Sequence, residues 1–133
     1  MHIDREQQRR VYARLVDGFR AGATEGVEQR WQWLMAAHII GQMDFRLHVH
    51  SHVVMLAFAA KTGDWPEVGG QLIRLALVPL GHLVGRLPTG NIGRATVNAF
   101  QPMPLSMELQ QLIGEARLAA VAKPARNSAE TSS

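Results

Sequence analysis

Four short breaks do most to constrain what this chain can fold into. GATEG at 22–26, the step from Gly41 to Asp44, KTGDWPE at 61–67 and GRLPTGNIGR at 85–94 cut it into segments of helix length. Glycine and proline end helices, while Asp, Ser and Thr begin them. Between the breaks, apolar residues recur at the three-to-four spacing of a helix, and no segment alternates as a half-buried strand does. The first segment, about Asp4 to Ala21, carries Val11, Leu15 and Phe19 on one face, with Tyr12 and Val16 beside them. The second, from about Thr24 or Glu25 to Gln42, has Thr24 as its expected N-cap and a stripe of Trp31, Leu34, Met35, His38 and Gln42.

Asp44 is placed to cap a third helix from Phe45 to about Lys61, apolar on nearly every side after Ser51 and therefore central. Gly63 closes it. Asp64 then caps a fourth, with Pro66 in its first turn and Glu67 reaching back as a capping box, running to about Val84 with a kink or narrowing near Pro79. GRLPTGNIGR reads as a structured loop, and Ser106 caps a last helix to about Val121. The polar residues 123–133 read as a disordered tail. The expected fold is all-α: one domain over residues 1–122, an up-down four-helix core with an extra C-terminal helix.

Composition removes several classes of function. There is no cysteine, so disulfides and thiolate metal sites are excluded. The charged start MHIDREQQRRVYAR has no apolar core of a secretory signal. The longest apolar run, LIRLALVPLGHLV, contains an Arg, a Pro and a His and is shorter than the ~20 residues of a membrane span. A cytoplasmic protein with no membrane partner is the expectation. The pI of 10.2 suggests nucleic acid, yet the net charge is only +3 and the arginines interleave with acids. With no basic run, that surface argues against a nucleic-acid partner.

What does stand out is AHIIGQMDFRLHVHSH, residues 37–52, with four of the six histidines beside Ile, Leu and Val. Imidazoles at apolar positions need partners. If consecutive helices are antiparallel, the end of the second, the start of the third and the end of the fourth share one pole of the bundle. His38, His48, His52 and His82 then converge there, with Asp44 as the nearest acid. His48 and His52 are one turn apart on the same face, an H-x-x-x-H pair. Such a pair with a third imidazole from another helix suits zinc, copper, nickel or iron. His50 points the other way and reads as a surface or packing residue, and His2 sits at the terminus. The competing reading gives the same histidines a structural hydrogen-bond network.

Met35 and Met55, next to the histidines, read mainly as packing and secondarily as soft copper ligands. Arg86 and Arg94 flank glycine-opened backbone that can receive a phosphate or carboxylate. The alternative is that they cap helix-end carbonyls and pin the loop. Asn91 follows Gly90 where a Walker A loop needs Lys, and no Ser–His–Asp or paired-carboxylate arrangement is readable. No catalytic residue or organic cofactor is indicated.

AHIIGQ, HVHSHVVML, VGGQLIRL, GRLPTGNIGR and QPMP, in that order, resemble an uncharacterised bacterial family known only as a domain of unknown function. The resemblance covers about Glu28 to Leu105. It implies a small helical protein, often encoded among heavy-metal resistance genes, and no established activity. The family pattern carries a Glu three residues before the first histidine, where this chain has Met35, so an E-x-x-H half-site of the di-iron kind is missing. Three readings follow: a metal-binding protein using the histidine cluster; a non-catalytic interaction module, expected as a homodimer; and an enzyme acting on a small anion between the histidines and Arg86/Arg94.

Overall fold

A computed structural model describes residues 4–84, 94 and 105–122. His2, Arg86, the rest of the loop around it, QPMP and the tail at 123–133 lie outside the described residues. Five helices account for nearly all of what is described: α1 (Arg5–Ala21), α2 (Val27–Gly41), α3 (Phe45–Lys61), α4 (Trp65–Val84) and α5 (Met107–Ala122). No strand occurs among the described residues, and the fold is all-α.

The caps follow the local chemistry of the sequence, with two departures: the start of α2, and Glu67, whose carboxylate accepts from Arg94 instead of reaching back while the Asp64 amide bonds the Ala59 carbonyl. Asp4 accepts from the Gln7 amide at 2.8 Å, and Asp44 from the Arg46 and Leu47 amides at 3.0 and 3.2 Å. Asp64 accepts from the Glu67 amide at 3.2 Å, and Ser106 from the Leu109 amide at 3.3 Å. Each satisfies amides that the first helical turn leaves without partners. α2 differs. Gly26, not Thr24, is its N-cap, with no side-chain bond, because the turn after α1 runs on through Glu25, whose amide bonds the Gly22 carbonyl. α4 continues through Pro79 as a single helix.

Contacts between consecutive helices run in opposite directions along the chain. Gln8 on α1 donates to the Ile40 carbonyl on α2, while Arg30 of α2 lies over the rings of Phe19 on α1 and Phe58 on α3. His38 of α2 meets His48 of α3, and Trp31 meets Phe58 at the other end. His52 meets Gln71 of α4, and His48 meets His82. These are antiparallel neighbours. α4 packs chiefly on α3, and α5 lies against α1 and α2. Val11, Leu15, Trp31, Leu34 and Met55 are the centre of the core.

Two details set the histidine pole. A Cβ on Gly41 would lie 2.9 Å from Leu47 Cβ and 3.1 Å from the Tyr12 ring, so only glycine lets α1, α2 and α3 approach this closely. The turn that follows ends at Asp44, whose carboxylate starts α3. Asp44→Ala is expected to lower stability by about 1 kcal/mol, read as a lower urea midpoint, while Asp44→Asn keeps most of it.

Candidate metal centre

α2 delivers His38 from its last turn, and α3 delivers His48 and His52 from its first two turns. The three rings stand in a near-equilateral triangle. Centroid separations are 5.0 Å for His38–His48, 4.8 Å for His38–His52 and 5.1 Å for His48–His52. One nitrogen from each can be chosen so that all lie within 4.8 Å of one another. The three side chains are 2%, 6% and 2% exposed, respectively. His82, half-buried on α4, joins from outside, its ring 5.2 Å from that of His48 and edge-on to Phe45.

The polar atoms are connected. His38 Nε2 lies 3.2 Å from His48 Nε2, and His48 Nδ1 lies 3.0 Å from His82 Nε2. His52 Nδ1 is 2.7 Å from Gln71 Oε1. Below them on α4, Arg74 and Glu67 are also buried. Burial pulls the Arg74 guanidinium down in pKa, and the Glu67 carboxylate opposes that. Burial pushes His48 down to about 3, helped by His52 and His82. Burial likewise pushes His52 down to about 4, with the Gln71 bond opposing and Arg74 adding to the fall. Both rings are therefore neutral at physiological pH, the form in which imidazole offers a lone pair to a metal.

Three nitrogens on one metal at about 2.0–2.1 Å stand roughly 3.3 Å apart when tetrahedral. The His38–His48 pair is already at 3.2 Å. Side-chain rotations that draw in the remaining nitrogen would complete the geometry. Among the described residues no carboxylate belongs to the group, and Asp44 is occupied by the α3 amides.

His50 is a packing residue. Its Nδ1 is 2.7 Å from the hydroxyl of buried Tyr12, whose pKa burial raises. Arg94 does not lie among the histidines. Its Nε donates to buried Glu67 at 2.9 Å, Glu28 and Asp64 are at 3.5 and 4.0 Å, and the guanidinium is 4.2 Å from the Trp31 ring. Among the described residues its partners are these carboxylates and the indole ring. Sequence reasoning missed Gln71, Arg74 and the burial of Glu67. The signal was there: Glu67, Gln71 and Arg74 recur at helical spacing in an otherwise apolar segment. A cavity of about 290 Å³ between α1, α2 and α5, lined by Arg14, Gly18, Trp33, Leu112 and Ala116 among others, is separate from the triad.

The depressed His48 and His52 pKa values fix the sign of a pH effect. Unfolded, these rings take up protons below about 6.5; folded, they do so only near 3 and 4. Stability is thus complete above pH 6.5 and falls as pH drops, by up to about 1.4 kcal/mol per pH unit for each ring. The urea midpoint should decline from pH 6.5 to 5, and less steeply in a His48→Gln, His52→Gln double variant. A flat midpoint across that window would show that the rings are not held neutral.

No curated protein and no solved structure matches the chain. Residues 6–113 match the family described as Protein of unknown function (DUF3703). That span contains α1 but for Arg5, all of α2, α3 and α4, the first half of α5, the whole triad and both of its α4 neighbours, and the chain belongs to this family.

Proposed function

We propose that the protein binds a transition-metal ion, zinc, copper, nickel or iron, through the imidazoles of His38, His48 and His52. The observation that carries this reading is the triangle of three buried rings with mutual centroid distances of 4.8–5.1 Å. Structural histidines are ordinarily satisfied one at a time by carbonyls or carboxylates. Here three meet one another, two of them held neutral. The ligand set is nitrogen only, which suits borderline metals and not calcium or magnesium. Burial fits metal handling, as a buffer, accessory or chaperone, better than turnover of a large substrate.

A second reading keeps the histidines as a structural hydrogen-bond network in a protein that associates with itself. Two observations favour it: the bonds linking His38, His48 and His82, and the outer face of α4, where Trp65, Leu72, Ile73, Leu80 and Leu83 are exposed. Association through that helix would bury them.

The two readings part in one experiment. Untagged protein, stripped and titrated with each of the four ions, is expected to take up one ion per chain, measured by elemental analysis after gel filtration. The His48→Ala, His52→Ala double variant is expected to take up none. Equal metal content in the two proteins would end the metal reading, and a dimer by light scattering would then favour the second.

A further inference from the structure

The triad comes from α2 and α3, but the atoms that hold its two α3 rings come from α4. Gln71 Oε1 meets His52 Nδ1 at 2.7 Å, and His82 Nε2 meets His48 Nδ1 at 3.0 Å. Both contacts use the same ring nitrogen. We propose that α4 is the outer shell of the metal site: Gln71 and His82 lock His52 and His48 with Nδ1 protonated and Nε2 turned inward as a lone pair. His82 is then a positioning residue and not a ligand. This rests on the metal reading above.

Proton counting carries the argument. An amide oxygen only accepts, so His52 Nδ1 bears the proton and its Nε2 bears the lone pair. His48, neutral, has one proton for two contacts, to His38 Nε2 at 3.2 Å and His82 Nε2 at 3.0 Å. The donors must therefore all point one way along His38, His48 and His82. In the outward order, His38 Nε2–H donates to His48 Nε2, and His48 Nδ1–H donates to His82 Nε2. Only this order gives His48 the same tautomer as His52, with a lone pair facing the centre. It also commits the His82 Nε2 lone pair to His48, so that nitrogen is not left for a metal. Metal-binding histidines ordinarily donate their other N–H to such an outer partner, which fixes ring orientation. His38 is the one ring that must surrender an inward proton when an ion enters.

The arrangement also accounts for a polar stripe on the inner face of α4. Gln71 is fully buried and His82 half-buried against the Phe45 ring, whereas Leu72, Ile73, Leu80 and Leu83 face outward. Helix α4 has its amphipathic pattern reversed where it meets the triad.

Two measurements test this on the full-length protein. Long-range ¹⁵N–¹H spectra of the metal-free protein are expected to show His48 and His52 as Nδ1–H tautomers; an Nε2–H tautomer at His48 overturns the proposal. Titration with the same four ions is expected to show Gln71→Leu and His82→Leu each weakening affinity by about 10- to 100-fold at one ion per chain. His82→Gln, which keeps an acceptor oxygen, is expected to recover most of that loss. X-ray absorption should count the same number of imidazoles in wild type and His82→Leu. A count lower by one in His82→Leu makes His82 a ligand and overturns the proposal, as do variants within twofold of wild type. Metal-free thermal midpoints separate lost affinity from lost folding. Wild type that takes up none of the four ions overturns both readings; wild type that binds, with unchanged variants, overturns this one alone.

Discussion

Three imidazoles taken out of water at one point are the constraint to which this structure answers. Each ring carries a donor and an acceptor, and leaving either unpaired in an apolar interior costs about 1–3 kcal/mol. His38, His48 and His52 lie between Met35 and Met55 in sequence terms and are almost fully buried. Among the described residues they meet each other and α4. A packing core would use Leu or Met at such places, so the chain accepts a polar centre in the middle of its helix hairpin.

That centre explains the unusual sidedness of α4. The helix buries Glu67, Gln71 and Arg74 and sets Gln71 and His82 on the α3 rings, while leaving large apolar residues outside. Read by hydrophobicity alone, the opposite face would be buried. Polar residues win the inner face because their partners are already there: His52 for Gln71, His48 for His82, and Arg94 for Glu67.

The other pole is held by a different device. Arg94 stacks on Trp31 and pairs with Glu67, with Glu28 and Asp64 nearby, tying the starts of α2 and α4 to a residue from the segment beyond α4. A guanidinium fits this role because it stacks by its face and donates by its edge at once. With Arg94 at one end and Asp44 and Gly41 at the other, the α2–α3–α4 register that lines up the histidines is clamped from both sides.

The helices, most of their caps and the identity of the clustered imidazoles were legible in the sequence, because each depends on contacts three or four residues apart. Asp4, Asp44, Asp64 and Ser106 cap where their local chemistry places them. Thr24 failed as a cap because a turn of one or two more residues costs almost nothing locally. The tertiary structure alone decided which nitrogen meets which. The rotation of α4 about its axis puts Gln71 and His82 on the α3 rings and turns Glu67 to Arg94 at the far end, and that rotation is set by packing between helices distant in sequence. Spacing along one helix holds no information about the partner's angle, so residue types could be read from the chain and their pairings could not.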